Sequence, residues 1–288
     1  MKVLILGASG MLGSATFREF AVDARHETWG TLRSAALKKY FPQDQQTRLI
    51  ASVDVTDQDT LTALIDRTRP DVVINCIGVI KQASTAKDPL VTLPINSMLP
   101  HRLARLCSLA GARLVHVSTD CVFSGKKGMY TESDFSDAED LYGKSKYIGE
   151  LHDSLNAITL RTSIIGHELG SNLALVDWFL SQTGAVKGYT KAIFSGLPTV
   201  ELARLIKDLV LPNPSVSGLF HVSVDPIDKY SLLSLVAKVY GKQIEIVPDD
   251  KLRIDRSLNS SRFRETFNYQ PPSWESLISL MHDKRAQF

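Results

Sequence analysis

Tyr142 and Lys146 stand at i and i+4 in Tyr142-Gly143-Lys144-Ser145-Lys146, a spacing that puts both side chains on one face of a helix. An ammonium beside a phenol favours the phenolate and is expected to lower the tyrosine pKa from about 10. Such a pair suits proton transfer near neutrality. Upstream, Val115-His116-Val117-Ser118-Thr119-Asp120 reads as a strand ending in polar residues. Parallel sheets present ligand-facing groups at strand C-termini, which makes Thr119 and Asp120 candidate site residues.

A second constellation opens the chain: Gly7-Ala8-Ser9-Gly10-Met11-Leu12-Gly13, directly after an apolar run and leading into an amphipathic segment. In a strand–turn–helix setting the first glycine makes the tight turn. The second admits a pyrophosphate to the backbone, and the third lets helix and strand pack closely. Dinucleotide binding is the expected use. A site selective for NAD would carry a carboxylate after the second strand, to hold the ribose 2′-hydroxyl. Here Trp29-Gly30-Thr31-Leu32-Arg33-Ser34 has none, and Arg33 stands in its place. A guanidinium grips a 2′-phosphate through charge-assisted bonds, so the expected cofactor is NADP(H).

These residues need a scaffold. Val3–Leu6, His26–Thr31, Arg48–Val53, Asp71–Asn75, Arg113–Ser118 and Ala157–Arg161 read as strands. They alternate with helical segments Met11–Val22, Asp57–Thr68, Leu90–Ala110 and Leu141–Leu155. This pattern predicts an α/β fold, a Rossmann-like doubly wound parallel sheet over residues 1–165. Beyond it, helices over Asn172–Gln182, Thr199–Val210 and Lys229–Tyr240 and strands over Leu219–Val222 and Ile244–Val247 predict a smaller α/β lobe. That lobe, residues 166–288, should bind substrate, with some segments returning to pack on the first domain. Asn172, Lys187 and Arg256 are its candidate substrate contacts.

Bulk properties narrow the functional classes. The 288 residues are 44% hydrophobic, enough for a full core. Lys and Arg total 33 against 31 Asp and Glu, a balance that points to neither nucleic acid nor an acidic membrane. No stretch reaches the roughly 20 apolar residues of a membrane span, and the first apolar run is too short for a signal peptide. Cys76, Cys107 and Cys121 lack metal-site spacing, so no metal is expected. Their sparse, odd number fits a reducing compartment, and the expected location is cytoplasmic.

The order of glycine turn, strand ending in Ser-Thr and Tyr-x-x-x-Lys resembles the extended short-chain dehydrogenase/reductases. Val117–Gly125, Tyr130–Asp134 and Tyr142–Glu150 look like the dTDP-4-dehydrorhamnose reductase family within them. Asn75-Cys76-Ile77-Gly78, Pro94-Ile95-Asn96, Leu160-Arg161-Thr162, Phe194–Thr199 and Phe220-His221-Val222 match further. The resemblance implies reduction of the C4 ketone of a nucleotide-linked 4-keto-6-deoxyhexose, for deoxysugar or surface polysaccharide biosynthesis. Dimerisation is common in the family.

The resemblance also implies residue roles. Tyr142 protonates the carbonyl oxygen as hydride arrives, Lys146 holds the nicotinamide ribose and tunes Tyr142, and Thr119 hydrogen-bonds the reacting oxygen. Asp54 and Val55 hold the adenine, Cys76, Ile77 and Gly78 line the cofactor cleft, and Asn96 supports the lysine. Asp120, Cys121, Val122 and Phe123 fall where the sugar is expected. Related 4,6-dehydratases place Glu after this Asp; Cys121 stands there instead, which disfavours dehydration. Two alternatives stay open. An epimerase would oxidise and re-reduce a hydroxyl with the same Tyr142 and Lys146. A regulatory subunit of the same fold would bind the nucleotide without turnover.

Overall fold

The structure is a computed structural model that describes residues 1–81 and 85–288. The chain opens with β1 (Lys2–Leu6), α1 (Met11–Ala21) and β2 (Glu27–Thr31). The short α2 (Gln43–Gln46) leads to β3 (Leu49–Ile50). Then come α3 (Gln58–Thr68), whose first N–H groups are capped by Asp57, and β4 (Val72–Asn75). Next, α4 (Pro89–Thr92) runs through a π-helical segment, Leu93–Met98, into α5 (Leu99–Ala110). Thereafter β5 (Arg113–Thr119), α6 (Leu141–Ile148) and β6 (Ala157–Thr162) complete the first half.

The second half holds β7 (Ile164–Ile165), α7 (Leu175–Ser181), β8 (Ala185–Tyr189), β9 (Ala192–Phe194), β10 (Leu197–Pro198) and α8 (Thr199–Leu205). After a π turn over Ile206–Val210 come β11 (Gly218–His221), β12 (Ile227–Asp228), α9 (Lys229–Tyr240), β13 (Glu245–Asp249) and β14 (Ile254–Asp255). Two helices close the chain, α10 (Ser261–Phe267) and α11 (Trp274–Asp283).

Seven strands form the central sheet in the order β11-β6-β5-β4-β1-β2-β3, and every neighbouring pair is parallel. This is the expected doubly wound architecture. Its strand order reverses between β1 and β4, the crevice where such sheets bind ligands. Alternation along β1 shows why both faces are covered. Val3 and Ile5 enter one core with Phe17 and Phe20 of α1, while Leu4 and Leu6 enter the opposite core with Leu61 and Leu103. Burial of each such side chain contributes about 1.5–3 kcal/mol.

Residues after 165 continue the larger core through Phe179, Leu202, Leu232, Phe263 and Trp274, and β11 extends the central sheet. Away from it, β12-β9-β14 make a three-stranded sheet and β8 pairs with β13.

Several elements differ from the sequence expectation. The helix expected over 90–110 is interrupted by the π segment. That expected over 141–155 stops at Ile148, because Gly149 passes so close to Asn96 that a Cβ would lie 2.0 Å from its carbonyl oxygen. Helix α7 starts only at Leu175, and neither α10 nor α11 was anticipated by periodicity. Among the described residues no helix is long and apolar enough to cross a membrane.

Candidate active site

The glycine turn sits where β1 feeds α1. Gly7 has φ +80°, and its N–H and that of Ala8 are pinned to Thr31 of β2. A Cβ on Gly13 would stand 2.0 Å from the Gly7 carbonyl oxygen, so only glycine lets α1 rest on the turn. Gly10 is exposed, and a Cβ there would meet only the Gly7 oxygen, at 3.5 Å. Helix α1 starts with no side-chain cap and no acidic residue in its first turn. No described side chain accepts from its first N–H groups, which leaves them suited to an anion. Ser9 and Met11 are half-buried around it, whereas Leu12 turns into the core. These features fit a dinucleotide pyrophosphate.

Farther along the same sheet edge, Arg33 follows β2 exposed, with no hydrogen bond or ion pair to the described residues. Asp54 is exposed, and its Oδ1 accepts from the Thr56 N–H (2.9 Å) and hydroxyl (2.7 Å), which hold the carboxyl below its usual range. Val55 is buried beside it. After β4, the Asn75 Oδ1 accepts from the Ile77 N–H at 3.1 Å, shaping the Cys76-Ile77-Gly78 turn. A Cβ on Gly78 would lie 3.4 Å from the Asn96 Oδ1 and 3.8 Å from the Lys146 Nζ.

The catalytic candidates converge at the ends of β5 and α6. Asp140 caps α6 by accepting from the Gly143 N–H at 2.8 Å. Gly143 is needed because a Cβ there would sit 2.3 Å from the Cys121 carbonyl oxygen, and this close approach seats Tyr142 against the Thr119–Cys121 turn. The Thr119 hydroxyl donates to the Asp120 carboxylate at 3.2 Å and accepts from the Cys121 N–H at 3.1 Å. Burial raises the Asp120 carboxyl above its usual range, with Arg256 the strongest opposing charge.

The expected tuning of Tyr142 by Lys146 is corrected here. Burial pushes the phenol above its ordinary value, reinforced by Cys121, Asp120 and Asp140 and opposed by Thr119. Lys146 instead turns inward and donates to the Val117 carbonyl at 2.8 Å. Its own burial lowers it to about 8, with Glu150 the main opposing charge. Glu150 in turn is buried on Arg161, which donates through Nε to Oε1 (2.8 Å) and through Nη2 to Oε2 (2.5 Å).

Asn96 makes no direct hydrogen bond to Lys146 among the described residues. Its Oδ1 accepts from the Val79 N–H at 2.8 Å, and its Nδ2 donates to the Val79 carbonyl and the Ser145 hydroxyl, each at 3.2 Å. The π segment that carries it turns this side chain inward, a common use of such bulges.

The substrate candidates divide. Asp120 and Cys121 line the cluster, and Arg256 joins them by donating Nε to the Phe123 carbonyl at 2.7 Å. Burial holds the Cys121 thiol up at about 12, so it is a poor nucleophile. Val122 and Phe123 are corrected to scaffold: both are fully buried, and Phe123 stacks on Tyr130 at 4.1 Å. Lys187 pairs instead with Asp249 on the neighbouring β13, at 3.1 Å. Asn172 lies exposed before α7, and no described contact joins it or Lys187 to the cluster. Lys229 at the start of α9, which sequence reasoning passed over, sets its Nζ 4.1 Å from the Phe194 ring centroid.

Residues 1–286 match the family model described as the RmlD substrate binding domain. The chain belongs to that family. Among curated relatives it is 26% identical over 260 residues to methionine adenosyltransferase 2 subunit beta of Mus musculus, covering 83% of this chain and 72% of that one. It is 29% identical over 270 residues to the probable low-salt glycan biosynthesis reductase Agl14 of Haloferax volcanii, covering 90% and 84%. Among solved structures, dTDP-4-dehydrorhamnose reductase of Bacillus anthracis, in complex with NADP, superposes with TM-score 0.79 at 22% identity, covering 98% of this chain and 99% of that one. This last likeness shows the shared family fold.

Proposed function

We propose that the protein reduces the C4 ketone of a nucleotide-linked 4-keto-6-deoxyhexose with NADPH, in cytoplasmic deoxysugar or surface polysaccharide biosynthesis. The observation that carries this reading is the convergence of Thr119, Tyr142 and Lys146 on the sheet edge that also bears the open glycine turn. Residues 1–165 would hold the dinucleotide, through the glycine turn, Arg33 at the 2′-phosphate, Asp54 and Val55 at the adenine, and Cys76–Gly78. Residues 166–288 would mainly cover the sugar nucleotide. The dinucleotide, when bound, supplies the hydride.

The chain's own groups do the rest. Tyr142, held protonated by its raised pKa, donates its proton to the carbonyl oxygen. Thr119, whose hydroxyl donates to Asp120 in this structure, would turn it to the same oxygen and so orient the ketone. Lys146, fixed by Val117, brings positive charge to the site. Asp120, Cys121 and Arg256 form the wall against the sugar.

The direct test follows NADPH absorbance with a panel of 4-keto-6-deoxyhexoses carried on dTDP, UDP, GDP or CDP. Oxidation with at least one is expected, and Tyr142→Phe should remove it while sparing NADPH binding. A second reading, a nucleotide-binding subunit, draws support from the likeness to a protein named as a subunit. It requires tight NADPH binding with no turnover on any of the panel.

A further inference from the structure

A row of polar side chains crosses three neighbouring strands one residue before Thr119. Pairing in register sets Ser118 of β5 beside Arg161 of β6, and Arg161 beside His221 of β11. All three are buried, Arg161 to 1% exposure. Glu150, two residues past the end of α6, meets this row. Its Oε1 accepts from the Ser118 hydroxyl at 2.6 Å and from the Arg161 Nε at 2.8 Å, and its Oε2 accepts from the Arg161 Nη2 at 2.5 Å. The third guanidinium nitrogen, Nη1, donates to the His221 Nε2 at 2.8 Å. A guanidinium only donates, so this imidazole carries its proton on Nδ1, which donates to the Tyr130 carbonyl at 3.0 Å. Burial keeps the ring neutral, lowered to about 3.

Arg161 also touches the turn that carries the substrate wall. Its guanidinium carbon lies 4.9 Å from the Phe123 ring centroid, and that ring stacks on Tyr130 at 4.1 Å. Phe123 ends the short turn Asp120–Val122, which follows Thr119 directly. Glu150 meanwhile fixes the end of α6, the helix that bears Tyr142. One side chain therefore joins the strand and turn of Thr119 to the helix of Tyr142. A buried ion pair is a costly way to fill this space, since apolar side chains of similar volume are often as stable or more so. What they lack is direction. The planar fork of a guanidinium fixes angle and distance to several partners at once, and a lysine ammonium on its flexible stem does not.

We propose that Arg161, acting through Glu150, Ser118 and Phe123, is a positioning residue that holds the Thr119–Phe123 turn against α6 and so aims Thr119 and Tyr142 at one carbonyl oxygen. This inference rests on the ketone-reductase reading above, but its first test needs no turnover.

Removing one charge alone would leave the other unpaired in the core, so the main variant is the double substitution Arg161→Met with Glu150→Met. Hydrogen–deuterium exchange is followed by mass spectrometry well below its Tm, where global unfolding does not contribute. Exchange in Thr119–Phe123 should accelerate roughly tenfold or more, while the glycine turn 7–13 exchanges as in wild type. An unchanged rate in Thr119–Phe123, or the same acceleration throughout the chain, overturns the proposal.

Kinetics with a 4-keto substrate that wild type reduces give the consequence. In the double variant kcat should fall roughly a hundredfold with KM for NADPH nearly unchanged, the order of loss that a displacement of about 1 Å produces. Ser118→Ala cuts one bond and leaves the ion pair whole; it should fold and lose kcat several-fold. Arg161→Lys keeps the charge balance without the fork and should also have a low kcat. Wild-type kcat in the double variant overturns the proposal. So does wild-type kcat in both Ser118→Ala and Arg161→Lys, which decides the matter if the double variant does not fold. Local loosening of Thr119–Phe123 in the double variant, when wild type oxidises NADPH with none of the panel, would remove the reductase reading and keep Arg161 as the residue that holds the turn.

Discussion

The Lys146 Nζ donates to the carbonyl oxygen of Val117 at 2.8 Å, so the lysine beside the proton donor is anchored by the strand that carries Thr119. Burial holds this ammonium near 8, so it carries its charge below that pH and loses it above. Tyr142, pushed above its ordinary value, stays protonated across the same range. For ketone reduction, kcat/KM should therefore be level below about 8 and fall above it. A profile that rises through that pH would contradict the role of the charge.

Stability should move the other way. The folded pKa of Lys146 lies below its unfolded value, so the unfolded chain binds more protons between them, and the cost of burying the charge fades as pH rises through that window. Accordingly, Lys146→Met should hold or raise Tm at neutral pH while lowering kcat/KM by about 10²–10⁴-fold.

Asn96 clamps Val79 through both its N–H and its carbonyl. Asn96→Ala leaves these buried backbone groups without partners, at about 1–3 kcal/mol each. The Gly78–Val79 segment would loosen beside the dinucleotide. Expected outcomes are a lower Tm and a higher Kd for NADPH in fluorescence titration. An unchanged Kd with a lowered Tm would confine Asn96 to folding.

Much of this was legible in the sequence. Short apolar runs revealed the parallel sheet because strands buried on both faces need no alternation, as along Val72–Asn75. The glycine turn and the Tyr142–Lys146 spacing are local and were readable as such. Asn96 was found, but not its partner, because a π segment redirects the side chain and leaves no periodic trace. Helix α10 escaped because it is short and buries only Phe263 and Phe267, whereas α11 does bear a helical stripe, Trp274, Leu277, Ile278 and Met281, that the reading passed over.

The glycine turn predicts opposite results at two positions. In Gly13→Ala the new Cβ meets backbone, 2.0 Å from the Gly7 oxygen and 3.1 Å from the Ala8 Cα, so helix and strand must part. A loss of about 3 kcal/mol or more, or failure to fold, is expected. Gly10→Ala adds a Cβ at an ordinary 3.5 Å, on a backbone with φ −76°. It should fold with near wild-type Tm yet bind NADPH more weakly, because the methyl stands where the pyrophosphate approaches the backbone. Thermal melts and NADPH titration of both variants separate the packing glycine from the ligand-facing one.

Arg33 tests the choice between the two dinucleotides. It is exposed and unpaired among the described residues, so Arg33→Ala should leave Tm where it was. Loss of a charge-assisted contact at a solvent-exposed site should raise KM for NADPH roughly tenfold. NADH, which has no 2′-phosphate, should be unaffected. The ratio of kcat/KM values for the two cofactors isolates this effect from any general damage. If both cofactors weaken equally, Arg33 contributes field and not recognition, and the preference for NADP(H) must reside elsewhere in the turn after β2.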